Sequence, residues 1–109
     1  MDLTAEHYDL DLGDGHWLTF TCWAPDRKLN PQYDNIPDVG KWGAIIRHTK
    51  PDGTSCMGCI TFDGPVQQRL AASNPRWIVE SWAPLSISPS LLCDCGDHGF
   101  IRNDKWVKA

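Results

Sequence analysis

Five residues in this chain are of types and spacings that could do chemistry: Cys56, Cys59, Cys93, Cys95 and His98. Thiolates and imidazoles are the donors that zinc takes, usually four in a tetrahedron. Cys56-Met57-Gly58-Cys59 spaces two thiols by two residues, as in a tight metal-binding turn, and Gly58 relaxes the backbone there. Cys95-Gly96-Asp97-His98 has the same spacing. The two halves together make a Cys3His set from distant segments. Cys93 is a fifth candidate. It could replace Cys59 or Cys95, or sit just outside the coordination sphere. Two other readings stay open: the cysteines as small buried hydrophobes with His98 on the surface, and a redox role for Cys93-Asp94-Cys95.

A catalytic zinc keeps a position open and has a proton-handling group beside it. Asp94 and Asp97 are near in sequence, but thiolate-rich spheres are typical of closed, structural sites. The expectation is therefore structural Zn2+, with no catalytic residue. No Gly-rich phosphate loop, HExxH helix or Ser/His/Asp arrangement is present.

These donors need elements to hold them. Tyr8, Leu10 and Leu12 alternate with polar residues, Gly13-Asp14-Gly15 is a turn signal, and Leu18, Phe20 and Cys22 alternate again. The pattern predicts a hairpin over roughly residues 6–12 and 16–23, with Cys22 a buried structural thiol. Residues 24–41 hold Pro25, Pro31, Pro37 and Gly40 among Asn and Asp, and read as a long ordered loop pinned by Tyr33 and Ile36. A strand from Trp42 to Thr49, the turn Lys50-Pro51-Asp52-Gly53 and a strand from Thr54 to Phe62 follow. His48, beside that turn, reads as a surface imidazole and not a ligand. Pro65 opens a helix of roughly nine residues that Asn74-Pro75 stops, with Gln67, Gln68 and Arg69 facing water. Arg76 to Trp82 is a strand, and Leu85 to Ser88 an extended edge. Asn103-Asp104 is a two-residue turn pair that sets Ile101 opposite Trp106 and Phe100 opposite Val107.

Bulk composition narrows the class. The 109 residues suit one domain, spanning 1–109, whose thin core a metal staple would reinforce. A net charge of −4 argues against duplex binding by phosphate neutralisation. No apolar run is long enough for a spanning helix. The N-terminus, Met1-Asp2-Leu3-Thr4-Ala5-Glu6, lacks the basic and apolar regions of a signal peptide, so a cytoplasmic location is expected. There, five cysteines read better as metal ligands than as disulfides.

The segment from Trp82 to Val107, with Ser88-Pro89-Ser90-Leu91-Leu92-Cys93-Asp94-Cys95-Gly96-Asp97-His98-Gly99-Phe100-Ile101 at its centre, resembles the C-terminal signature of small uncharacterised proteins of actinobacteriophages and prophages. It is similar, more distantly, to a bacterial domain-of-unknown-function family in which a Ser-Pro-Ser element precedes a Cys-x-x-His. Ile60-Thr61-Phe62-Asp63-Gly64 resembles that family's middle. The strong part of the likeness covers about a third of the chain. It implies metal ligands at Cys95 and His98 and at the upstream cysteines. It supplies no activity, and Cys93 is a thiol beyond the family's pattern.

The expected fold is α+β: a mainly antiparallel sheet of five to seven strands, one short helix, and a zinc knuckle tying the central hairpin to the C-terminal one. The expected function is that of a non-enzymatic zinc-binding accessory or interaction protein, phage-encoded and acting on a host factor in the host cytoplasm. The rivals are a zinc-dependent enzyme of hydrolase or nuclease type, and a nucleic-acid-binding module using exposed Trp with Arg102, Lys105 and Lys108. A protein partner, either a host factor or a phage component, is expected; nucleic acid is disfavoured and no membrane contact is expected.

Overall fold

The computed structural model describes residues 8–109, so the expected start of the first strand and the N-terminal segment on which the expected location rests fall outside it. Among the described residues the fold is mainly antiparallel sheet with one short α-helix, in three sheets. Strands β1 (Leu10–Gly13), β2 (His16–Trp23), β3 (Val39–Thr49) and β4 (Ser55–Thr61) form a meander in chain order. Helix α1 (Pro65–Leu70) follows. Strands β5 (Ile78–Trp82) and β6 (Leu85–Ser88) make a two-stranded sheet, and β7 (Leu91–Leu92), β8 (His98–Arg102) and β9 (Lys105–Lys108) a third. Among the described residues nine strands therefore stand where five to seven were expected, because the C-terminal half breaks into short pieces around its prolines and tight turns.

The turns expected from sequence set the registers. Asn103 and Asp104 take φ of 51° and 63°, the left-handed pair of a type I′ turn, and Ile101 pairs with Trp106 and Phe100 with Val107. The β3–β4 turn closes with Gly53 N–H donating to the Lys50 carbonyl at 2.9 Å. Thr49 then pairs with Ser55, and His48 with Cys56.

One apolar cluster draws on all three sheets: Leu12, Leu18, Ala44, Ile46, Ile60 and Phe62 from the meander or its end, Leu85 and Ile87 from β6, and Leu91, Ile101 and Trp106 from the third. Gly99 is needed within it, since a Cβ there would lie 2.6 Å from the Trp106 ring. The turn between β8 and β9 is tied to β6: Asp104 N–H donates to the Leu85 carbonyl, and the Asp104 carboxylate accepts from the Leu85 N–H.

Three local expectations are corrected. Cys22 is exposed, not buried, because the β2–β3 ladder slips between Thr21 and Trp23, where the partner jumps from Gly43 to Val39. The helix has six residues, not nine, and Gln67 is buried instead of solvated, its Nε2 donating to the Trp42 carbonyl at 3.3 Å. The expected loop of 24–41 ends early, since β3 begins at Val39, and it contains a 3-10 turn at Pro31–Tyr33. Arg27 holds that loop together. Its guanidinium donates to the Tyr33 and Ile36 carbonyls and pairs with Asp38. Ile36 is buried beneath, as its pinning role requires.

Candidate metal centre

Strand register builds the site. His16 opens β2, His48 stands near the end of β3, and Cys56 near the start of β4. The ladders pair His16 with His48 and His48 with Cys56, so the three form a row across one end of the meander. Alternation sets the face: His48 has the parity of Ala44 and Ile46, which are buried core residues. His48 is itself only 5% exposed, so the expectation of a surface imidazole is overturned.

The fourth piece arrives from above. Between β7 and β8 the chain folds into a tight loop, Cys93 N–H donating to the Asp97 carbonyl and Gly96 N–H to the Cys93 carbonyl, each at 2.8 Å. Gly96 sits at φ +95°, a backbone that side-chain-bearing residues rarely adopt. That turn brings Cys93 and Cys95 to the same place. The Sγ atoms of Cys56, Cys93 and Cys95 and a ring nitrogen of His48 all lie within 4.8 Å of one another. Cys56 Sγ is 3.2 Å from Cys93 Sγ, and Cys95 Sγ is 3.5 Å from His48 Nε2.

These distances fit a tetrahedral ion. Zinc–sulfur and zinc–nitrogen bonds of ~2.3 and ~2.05 Å give edges of about 3.8 Å between sulfurs and about 3.6 Å between sulfur and nitrogen. The sulfur–nitrogen edge is already close, and the Cys56–Cys93 pair needs to open by roughly half an ångström.

The thiols are electrostatically unequal. The Cys95 backbone amide, and after it the His48 ring, hold the Cys93 thiol down to about 7. The hydrogen bond to Cys93, and then burial, push the Cys56 thiol up to about 11. Cys56 thus keeps its proton and offers it to the Cys93 thiolate. A bound cation would replace that shared proton and hold all the sulfurs as thiolates, so binding releases protons.

Of the residues singled out from sequence, the fold brings Cys56, Cys93 and Cys95 together and leaves Cys59 and His98 outside the group. Cys59 pairs with Ile45 and is exposed. Residues three apart on a strand point to opposite faces, so Cys56 and Cys59 diverge. His98 is the first residue of β8 and is exposed. Its Nε2 lies 2.9 Å from Ser90 Oγ, and its ring stacks toward Phe100. His48 is the ligand candidate that sequence reasoning passed over. Its parity with Ala44 and Ile46, and the turn that sets it opposite Cys56, are the signals that point to it.

Further groups support the ring of His48. Asp97 Oδ2 lies 3.5 Å from His48 Nδ1 and 2.5 Å from His16 Nε2. A carboxylate behind a metal-bound histidine fixes its orientation and raises its basicity. His16 stacks on Trp106 at 4.1 Å, while His16 Nδ1 donates to the Asp14 carbonyl at 2.8 Å. A cleft of about 520 Å³ opens beside this row, bordered by His16, His48, Lys50, Asp97 and Lys108.

No family model, curated protein or solved structure matches the chain. No helix among the described residues is long and apolar enough to cross a membrane.

Proposed function

We propose that this chain is a small zinc-binding accessory protein, non-enzymatic, in which the metal fastens the β3–β4 hairpin to the β7–β8 loop and the surface so held contacts a protein partner. The observation that carries the reading is the convergence of Cys56, Cys93, Cys95 and His48 within 4.8 Å. Four donors fill a tetrahedron and leave no place for a substrate, which favours a structural ion over a catalytic one. The thiolate majority favours zinc among the borderline metals. Free thiols at this density suit the reducing cytoplasm.

The C-terminal resemblance supports a phage-encoded protein that acts on a host factor. Exposed Met57, Ile78 and Leu92 offer apolar contact to a protein partner. Nucleic acid is less well supported: Arg102, part of the basic trio, is already paired with Glu80 and donates to the Ile87 carbonyl.

Elemental analysis of the purified chain tests the reading, together with thermal melts before and after chelation. About one tightly held zinc per chain, lost in Cys93→Ser and accompanied by a lower melting temperature, supports it. A metal-free chain that is fully folded refutes the staple. Pull-down of a host protein that is lost on chelation supports the partner reading, and capture unaffected by chelation separates the partner surface from the metal.

A further inference from the structure

His16 makes two contacts that one neutral imidazole cannot both satisfy. Its Nδ1 faces the Asp14 carbonyl at 2.8 Å, and a carbonyl only accepts, so that nitrogen carries the proton. Nε2 of the neutral ring is then a bare lone pair. It faces Asp97 Oδ2 at 2.5 Å, and an ionised carboxylate also only accepts. Two acceptors this close need a proton between them, or a metal ion beside them that moves them apart. The third neighbour is His48 Nδ1, 3.5 Å from the same oxygen, on the far side of the ring from the thiolates.

We propose that His16, His48 and Asp97 form a second metal site, taking one divalent ion of the zinc, cobalt or nickel class. One ligand atom from each of the three lies within 4.8 Å of the others. Two imidazoles and one carboxylate suit such ions and leave coordination positions for water. The surroundings differ from those of the thiolate group in the way an open site needs. His16 and His48 are each 5% exposed, and His16 is held in a stack with His48 at 5.2 Å and Trp106 at 4.1 Å, so the donors are fixed. The Asp97 side chain is 24% exposed and borders the cleft of about 520 Å³, which gives an ion and its waters a way in.

The inference rests on the reading that the thiolates and His48 Nε2 hold the first ion. With both ions bound, His48 would serve one through each ring nitrogen, and its second ring proton would go to solvent. With only the first present, a shared proton occupies the short His16 Nε2–Asp97 Oδ2 contact instead.

Cobalt titration of the metal-free full chain distinguishes these states. The expected result is two ions per chain. One brings thiolate-to-cobalt charge transfer in the near ultraviolet, and the other adds visible bands with no further charge transfer. His16→Gln should bind a single ion with the charge-transfer band retained, and Cys93→Ser should lose most of that band. Wild type saturating at one ion with full charge transfer overturns the second site and leaves the thiolate centre standing. Binding without charge transfer overturns the thiolate centre instead. His16→Gln still binding two ions removes His16 from the site. The wild-type stoichiometry decides even if that variant folds poorly.

Discussion

Two segments of this chain carry the same donor spacing and do different things with it. Cys56-Met57-Gly58-Cys59 lies inside β4, and Cys95-Gly96-Asp97-His98 runs from a tight loop into β8. On the strand, alternation turns Cys56 inward and Cys59 out to solvent. In the loop, the backbone doubles back and gathers Cys93 with Cys95, while His98, already on the strand, faces away. Spacing by two residues is a ligand signature only where the backbone turns. On a strand the partner of a donor is found across the ladder, as His48 is for Cys56.

The sharpest way to break this comparison is to exchange serines for cysteines in the strand. Cys56→Ser should lower metal affinity severely and, since metal binding in small domains is folding free energy of ~10 kcal/mol or more, cost well over 10 °C in melting temperature. Cys59→Ser, exposed and outside the group, should melt within about 0.5 kcal/mol of wild type. Equal losses from the two would show that β4 bends locally to use both thiols. The next effect concerns the imidazoles. His48→Ala should release the ion and destabilise the fold, and His98→Ala should keep both zinc and melting temperature; calorimetry with metal analysis reads both, and the reverse outcome would place the ligand at the start of β8.

The glycines give a smaller contrast. Gly96→Ala meets no neighbour within 4 Å but forces a side chain to φ +95°, at a cost of ~1–2 kcal/mol. Gly58→Ala also meets nothing within 4 Å, on ordinary strand backbone, and should be neutral or stabilising by ~0.4–1 kcal/mol. Denaturant titration resolves the two. The mildest test leaves the fold intact. In metal-free protein at pH 8, above a Cys93 pKa of about 7 and below a Cys56 pKa of about 11, alkylation mapped by mass spectrometry should mark Cys93 before Cys56. Lowering the pH below 7 should slow Cys93, because its thiolate is then protonated.

Much of the fold was legible because alternation and turn chemistry are local. The Lys50–Gly53 and Asn103-Asp104 turns and the pairing of Ile101 with Trp106 follow from a few adjacent residues. The centre was half legible. All three of its thiols are visible as chemistry in the sequence, but choosing between Cys59 and His48 requires applying strand alternation to residues 55–61, which the sequence already marks as a strand. Donor spacing was read as a turn there, against a period that already set His48 on the core face. Cys22 failed for the opposite reason: its period was read correctly, and a ladder slip that no single residue announces turned it outward. The contacts of Asp97 with His16 and His48 were not legible, because His16 and Asp97 stand 81 residues apart.

The row of His16, His48 and Cys56 has a consequence for the order in which the protein comes into being. During synthesis these residues emerge first, and the β3–β4 hairpin can pair them while the rest of the chain is still inside the ribosome. At that stage the nascent chain offers an ion one imidazole and one thiol, a weak grip. Cys93 and Cys95 follow 37 and 47 residues behind the partners they meet, Cys56 and His48. At the proposed centre, capture of a metal would therefore mark the moment when the β7–β8 loop has been made and has found the β3–β4 hairpin. The ion would act as a checkpoint on that meeting, and ribosome-bound chains stopped short of residue 93 should exchange their metal far faster than chains carried past the β8–β9 hairpin.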